Sequence, residues 1–496
     1  MATLAQKEYS KNICCAIALV VLFPSIFIVN MQIRSGASIY TKLIFPLIVA
    51  VCFLIAFLII TFYDKFKPFK LKDYQWALIV FAGAILVSAI IFWIMLGTGN
   101  LDYWENKNNE NYSPIIGYIG GSARMEGILA FFCYFMYFIA GSSITDRKYV
   151  KVILGVFVSV LIIASFFAVL EHFGYMYKDS KGNYLRPKVF CGNANFFASF
   201  TTLGIAVLSS YIVNTKKYMM LIGAVPVYVL VCFATVYNNS RSAWIGSFLA
   251  WVSIFAFIIW DFVRNRDIKD LLKKGLLLLL CGLIFLGVLV SVIKVFEPDT
   301  YSTRMEATID QITGADEEVD SGETTGETEQ ELAQKLYNEN YVKWGSGRGH
   351  SFKWGIKMLS SNLLFGTGPD NFRFAFPKEA YDETRSAYGK ALAFDKAHNE
   401  YVHLGATLGI VGLFAYLVFV TLICINGFKG IKKEAQFYND NEIIKKMLFA
   451  AVIGYLGQAY FNISVLQVAP FFWTFMGLLV ADYFPKRINR KNNKKV

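Results

Sequence analysis

One histidine in the sequence lies where it could act as a general base. His398 stands in the stretch DKAHNEYVHLG, directly before a long apolar run, with Asn399 and Glu400 beside it. An imidazole with an unperturbed pKa near neutrality can accept a proton from a hydroxyl group at physiological pH. The amide of Asn399 could orient the ring. The alternative is a histidine that contacts only water or lipid headgroups.

Three arginines near apolar runs could bind an anion. Arg241 lies in NNSRSAWIG, before an apolar run, where a positive charge opposes the helix dipole and favours an anionic partner. Arg348 lies in GSGRGH, two residues before His350, and Arg186 lies in YLRPKVF. A guanidinium group can bind phosphate through two hydrogen bonds. We expect these arginines, His350 and Asn399 to bind substrate. Headgroup snorkelling is the alternative for Arg241, and solvation is the alternative for Arg186.

The sequence lacks the motifs of common soluble enzymes. It contains no GxxxxGK(S/T) phosphate loop, no HExxH and no GxSxG. It has no CxxC pair that would indicate a zinc site, and most of its cysteines fall inside apolar runs. We therefore expect neither a metal nor another cofactor. An activated donor would have to reach the site within the membrane and carry its own leaving group.

The elements that must position these residues are membrane-spanning helices. Of the 496 residues, 56% are hydrophobic and 17% are charged, whereas about a quarter of the residues in soluble domains are charged. Apolar runs long enough to cross a bilayer core of about 30 Å recur along the chain. They lie near 12–31, 43–63, 75–97, 126–145, 149–170, 192–213, 218–237, 242–262, 275–296, 401–427, 446–464 and 467–484. The sequence predicts an all-α polytopic membrane protein with about 12 transmembrane helices.

The distribution of basic residues predicts the orientation in the membrane. The net charge of +12 arises from clusters of Lys and Arg between apolar runs, not from one continuous basic face, which argues against nucleic-acid binding. Most of the Lys and Arg of the short segments lie at the N-terminus, near 64–74, 146–151, 214–217, 263–274 and 428–446, and after 485. By the positive-inside rule, both termini are cytoplasmic. We expect the protein to lie in the cytoplasmic membrane.

The same pattern divides the chain into four segments. They are helices 1–9 in residues 1–296, a large external loop in 297–400, helices 10–12 in 401–485 and a basic cytoplasmic tail in 486–496. Within the loop, the acidic stretch near 315–331 has no aromatic residue, so we expect it to be disordered. After Arg348, apolar residues at near-helical spacing predict a short amphipathic helix along the membrane surface.

Five stretches together resemble the O-antigen ligase and O-antigen polymerase superfamily of bacterial membrane glycosyltransferases. They are SARMEGILAFFCYFMY from Ser122, CGNANFFASF from Cys191, NSRSAWIG from Asn239, GRGHSFKWGIKMLSSNLLFGTGPDNF from Gly347 and AHNEYVHLGATLGIVG from Ala397. Their order and the large loop before the His-Asn pair fit the family. The resemblance covers roughly Ser122 to Gly427.

The resemblance implies a function and a site. It implies an inverting, metal-independent transferase whose donor is a polyprenyl-diphosphate-linked glycan, with His398 as the catalytic residue and with Arg241 and Arg348 on the diphosphate. The acceptor stays open, because a polymerase uses another lipid-linked glycan and a ligase uses a different surface molecule. A transporter or flippase of the same lipid is the alternative. A receptor that uses the large loop would leave His398 without a role.

Overall fold

The structure of the protein is a computed structural model. The described residues are 4–34, 36, 38, 40–62, 71–97, 124–176, 186–216, 218–295, 348–377, 379–380, 382–383, 394–435 and 440–483. They form α-helices and one short 3-10 helix, Val189–Cys191, and no strand occurs among them. The all-α prediction is confirmed for this part of the chain.

Thirteen α-helices follow one another along the described part of the chain. They are α1 Leu4–Arg34, α2 Thr41–Phe62, α3 Asp73–Gly97, α4 Ile128–Ser142, α5 Arg147–His172, α6 Ala194–Asn214, α7 Met219–Tyr237, α8 Arg241–Asn265, α9 Ile268–Val295, α10 Gly349–Ser361, α11 Glu400–Ala435, α12 Asp440–Ala459 and α13 Ala469–Val480.

Helices α6 and α13 form the centre of the bundle. All residues of α13 are buried, and 89% of the apolar window of α6 is buried, compared with 22% for α2 and for α9. Small and hydroxyl residues explain the position of α6, because they allow neighbouring helices to approach closely. A Cβ at Gly204 would lie only 2.5 Å from Leu161 on α5. The hydroxyl of Thr202 is satisfied within its own helix by the carbonyl of Ala198, at 2.9 Å.

The observed helices match the predicted spans in position but not always in length. In the described part of the chain, nine helices are long and apolar enough to cross a membrane, so the prediction of a polytopic membrane protein is confirmed. Helices α4 and α13 have 15 and 12 residues, and α12 begins with Asp440 and Glu442 and carries two lysines. The total of twelve spans therefore stays a prediction.

Helix α11 is broken near its start. Gly409 has φ 70° and ψ −177°, and the segment Leu363–Gly368 lies against the break. The N–H of Ile410 donates to the carbonyl of Leu363 at 2.7 Å, and the N–H of Gly368 donates to the carbonyl of Thr407 at 2.8 Å. These bonds satisfy backbone groups that a break inside an apolar, membrane-spanning helix would otherwise leave unpaired.

The predicted amphipathic helix is present as α10. Its buried face includes Trp354, Gly355 and Met358, whereas Ile356 on the other face is 46% exposed. The acidic stretch near 315–331, most of the predicted external loop and the tail from 486 lie outside the described residues. The four-segment division of the chain stays a prediction.

Candidate active site

The structure brings Arg241, Arg348 and His398 to one end of the bundle, which we call the site end. Arg241 is the first residue of α8, Arg348 directly precedes α10, and His398 lies two residues before α11. Burial and the positive charge of Arg241 both lower the pKa of Arg348. Two guanidinium groups whose charges interact in this way create a positive field that favours an anionic ligand.

His398 is held as a neutral imidazole. Burial and then the charges of Arg348 and Lys396 lower its pKa to about 3, and Asp395 opposes them only in part. A lowered histidine pKa favours the uncharged ring at neutral pH, so the ring has a lone pair with which to accept a proton. Its backbone has φ 55°, in the left-handed region. That conformation costs an L-residue roughly 1–2 kcal/mol, so the surrounding turn must hold it.

Asn399 explains how the chain turns from His398 into α11. Its Oδ1 accepts a hydrogen bond from the N–H of Val402 at 3.0 Å, and its carbonyl accepts one from the N–H of His403 at 2.9 Å. This is the bonding pattern of an N-cap residue. The side chain is 3% exposed. The contacts therefore place Asn399 beneath the histidine as a helix cap, and its predicted role in substrate binding stays untested.

Helix α10 fixes Arg348 relative to His398. Nη1 of Arg348 donates to the carbonyl of Phe461, in the turn after α12. The hydroxyl of Ser351 donates to the carbonyl of Ala397 at 3.4 Å, and a Cβ at Gly355 would lie 2.7 Å from Val402 of α11. Because α10 touches the chain on both sides of His398, the arginine and the histidine belong to one packed unit.

Arg186 lies below the turn that leads into Arg241. Its Nε donates to the carbonyl of Asn238 at 2.9 Å, and its Nη2 donates to the carbonyl of Asn239 at 3.1 Å and to Oδ1 of Asn195 at 3.1 Å. Asn239 has φ 50°, so this turn needs support. These bonds place Arg186 where it holds the turn, and a direct contact with substrate stays a prediction.

His350 is packed in the first turn of α10. Its side chain is 0% exposed, and its ring centroid lies 5.6 Å from that of Phe394 and 6.4 Å from that of Trp354. Nδ1 lies 3.6 Å from Oε1 of Glu383. Burial, opposed in part by the Glu383 charge, lowers the pKa of His350. The residue therefore packs α10 against the segment around Phe394, and its predicted role in substrate binding stays untested.

A buried ionic network lies beneath the turn that carries His398. Arg124 pairs with Glu126, and its Nε lies 3.4 Å from Oδ1 of Asp370. Nη1 of Arg124 lies 2.7 Å from Nε2 of His403. Glu126 accepts a hydrogen bond from the hydroxyl of Tyr134 at 2.8 Å. Burial alone would lower the pKa of Arg124, but Asp370 and Glu126 outweigh it and raise the pKa, so the guanidinium stays charged.

A small polar cavity adjoins this network. Its volume is about 30 Å³, and Arg124, Glu126, Asp370, Glu400 and His403 contribute to its wall. Oε1 of Glu400 accepts hydrogen bonds from the hydroxyl of Ser464 at 2.9 Å and from that of Tyr416 at 3.2 Å. Space for about one water molecule beside several polar groups is typical of a hydrated internal site.

Four residues of this network were not predicted from the sequence as site residues: Arg124, Glu126, Asp370 and His403. The sequence did contain a signal for three of them. Arg124 and Glu126 lie in SARMEG and Asp370 lies in GTGPDNF, and both stretches are among those that carry the family resemblance. An arginine and a glutamate two residues apart, directly before an apolar run, are costly at a membrane boundary and mark a functional or structural site. Their partners, however, come from distant parts of the chain.

The site end combines two clustered guanidinium groups and a neutral imidazole, and the buried ionic network lies beneath them. Such an arrangement can bind an anionic group, stabilise negative charge on it and accept a proton from a second reactant. Within the residues that the structure describes, no group of three or more His, Cys, Asp or Glu side chains is placed to hold a metal ion.

Comparison with known proteins identifies a family domain that covers most of this site. Residues 226–417 match the model of the family described as O-antigen ligase. The matched region contains Arg241, Arg348, His398 and His403, whereas Arg124 lies before it. No curated protein sequence matches the chain.

Proposed function

We propose that the chain, whose residues 226–417 match the O-antigen ligase family model, transfers or polymerises a polyprenyl-diphosphate-linked glycan at the outer face of the cytoplasmic membrane. The acceptor is a glycan or another surface molecule. The observation that carries this proposal is the convergence of Arg241, Arg348 and His398 at one end of a membrane-spanning bundle. Both termini are then cytoplasmic, with the site end outside.

The two arginines would bind the diphosphate of the donor. As the bond between the sugar C1 and the diphosphate oxygen breaks, negative charge grows on that oxygen, and Arg241 and Arg348 stabilise it. The acceptor hydroxyl attacks C1 from the opposite side, which inverts the configuration at C1. The leaving group is the polyprenyl diphosphate, and the proton of the hydroxyl passes to His398. Neither a metal nor a nucleotide takes part in this step.

Donor binding would also activate the base. In the ligand-free structure, the charges of Arg348 and Lys396 lower the pKa of His398. A diphosphate bound at Arg348 adds negative charge beside them and raises the proton affinity of the ring. His398 thus becomes a stronger base only when the donor is in place.

The ionic network would position the base instead of reacting. Arg124 lies 2.7 Å from Nε2 of His403, in the first turn of α11, and Asp370 connects the same guanidinium to the segment after α10. The network therefore joins the two elements that carry Arg348 and His398. A rigid support of this kind maintains reactive groups in a productive geometry.

Reconstitution tests the proposal directly. The purified chain in lipid vesicles is given a polyprenyl-diphosphate glycan and a glycan acceptor, and the release of polyprenyl diphosphate is measured together with glycan transfer. The variant His398→Asn removes the base without disturbing the backbone, since asparagine tolerates the left-handed conformation but is not a base. We expect transfer to fall on the order of a hundred- to ten-thousand-fold and donor binding to persist. Normal transfer by this variant would contradict the assignment of the base.

The break in α11 favours a second candidate function, transport of the lipid-linked glycan. Transporters often place their sites on discontinuous helices, and Gly409 interrupts α11 about three turns after His398. The same vesicles distinguish the two functions. A transporter moves the intact lipid-linked glycan across the bilayer without releasing polyprenyl diphosphate.

A further inference from the structure

A large cavity lies at the end of the bundle opposite the site end. It has a volume of about 750 Å³ and lies between α5, α6, α7 and α12. Lys151 in the first turns of α5, Lys216 just after α6 and Asp440 at the start of α12 mark its mouth. Along α5 the lining reaches Val158, seven residues or about 10 Å deeper.

The wall of this cavity is apolar and leaves room for an occupant. Below the mouth, the lining residues are mostly aliphatic, among them Leu154, Leu208, Val227 and Met447. Two glycines, one on α5 and one on α7, also line it. A Cβ added at Gly155 or at Gly223 would meet no atom within 4 Å. A gap of this size matches cavities that bind organic ligands, which measure roughly 300–1,000 Å³.

The mouth carries a positive charge. Nζ of Lys151 lies 3.0 Å from Oδ2 of Asp440, and Nη1 of Arg147 lies 3.7 Å from the same oxygen. Lys216 lies exposed across the opening. Among the described residues at the mouth, two basic side chains pair with Asp440 and Lys216 adds a third positive charge, which suits an anionic group with two or more oxygens.

We propose that this cavity binds an anionic glycerophospholipid, with an acyl chain against the aliphatic wall and the phosphate at Lys151 and Lys216. Basic pockets between transmembrane helices are known sites for anionic headgroups. The proposal is independent of the transfer reaction, because the cavity opens at the end away from Arg241, Arg348 and His398. A donor whose diphosphate lies at the site end cannot place the same group at this mouth.

Native mass spectrometry of the full chain, released from nanodiscs with equal phosphatidylglycerol and phosphatidylcholine, tests this proposal. We expect the wild-type chain to retain one phosphatidylglycerol in preference to phosphatidylcholine. Replacing Lys151 and Lys216 with alanine should weaken phosphatidylglycerol binding roughly 25-fold, about fivefold per lysine. Asp440→Asn should strengthen it, because the competing carboxylate is removed. Gly223→Leu should reduce retention of both lipids by filling the cavity.

Two variants serve as matched controls. Lys148→Ala removes an exposed lysine of α5 that lies outside the lining, and Gly282→Leu adds a side chain to open space on α9. Both should bind lipid as the wild type does. Equal retention of the two phospholipids by the wild type would overturn the proposal, as would unchanged binding by the double lysine variant or by Gly223→Leu. Preferential retention of a polyprenyl phosphate added to the same nanodiscs would overturn the choice of a glycerophospholipid.

Discussion

The break in α11 predicts that Gly409 cannot be replaced, even by alanine. Its φ of 70° and ψ of −177° lie in a region that is essentially restricted to glycine, and forcing another residue into it costs roughly 1–3 kcal/mol. A Cβ would also lie 2.3 Å from the carbonyl carbon and oxygen of Leu364. Both atoms belong to the backbone, so relieving the clash requires moving the chain, at about 1–3 kcal/mol more. We expect Gly409→Ala to destabilise the protein by about 2–6 kcal/mol.

Gly282→Ala is the matched control for this prediction. Gly282 lies inside α9, and a Cβ there would meet no atom within 4 Å. Alanine in a helix interior is favoured over glycine by roughly 0.5–1 kcal/mol, so this variant should be as stable as the wild type or slightly more stable. The measurement is unfolding by SDS in mixed micelles, followed by circular dichroism.

Gly409→Ala should also impair transfer. The backbone that Gly409 contacts leads within six residues to Asp370, which lies 3.4 Å from Nε of Arg124. Moving Leu364 would shift Asp370 and loosen the network below His398. Equal stability of Gly409→Ala and Gly282→Ala, with normal transfer by both, would refute the reasoning.

Four further predictions concern the site and the topology. Arg348→Lys should lose most transfer activity at saturating acceptor although the charge is kept, because an ammonium group cannot form two parallel bonds to a diphosphate; Arg186→Lys, measured beside it, should lose less. The value of kcat/KM should stay nearly level between pH 7 and pH 5, because the pKa of His398 is lowered to about 3; a histidine with an unshifted pKa would lose roughly 25-fold over that range. Deleting 315–331 should leave transfer and membrane abundance intact, since an acidic stretch without aromatic residues rarely supports a site, and a loss of transfer at normal abundance would contradict this. A reporter fused after Lys433 should read cytoplasmic, and an external signal would reverse the proposed orientation.

Hydropathy alone was sufficient to predict the fold class and the positions of the helices, but not the lengths of α4 and α13. These two helices pack closely, since a Cβ at Gly477 would lie 2.4 Å from the carbonyl oxygen of Phe138. Hydropathy measures how apolar a run is and cannot distinguish a short helix buried among others from a helix that crosses the bilayer. The break at Gly409 was missed for the same reason, because ATLGIVGLFAYL is apolar on both sides of it.

Residues of the site that local motifs mark could be predicted from the sequence, whereas those that only tertiary contacts join could not. His398, Arg241 and Arg348 stand out because they punctuate apolar runs, and the structure brings them to one end of the bundle. Asn399 was interpreted as orienting the ring, whereas its Oδ1 caps α11. The partners of Arg124 could not be predicted, because a single sequence shows which side chains are ionisable but not which of them meet.

The ionic network also constrains how the chain can be made. Glu126 and Asp370 are 244 residues apart, and at ordinary rates of synthesis that distance takes roughly 10–50 s to translate. During this interval Arg124 has its neighbour Glu126 beside it, but neither Asp370 nor His403 has emerged from the ribosome. The early helices therefore enter the bilayer with a charged pair at their boundary whose other partners are still to come. A chain truncated before Asp370 would retain this pair without the contacts that Asp370 and His403 make to Arg124.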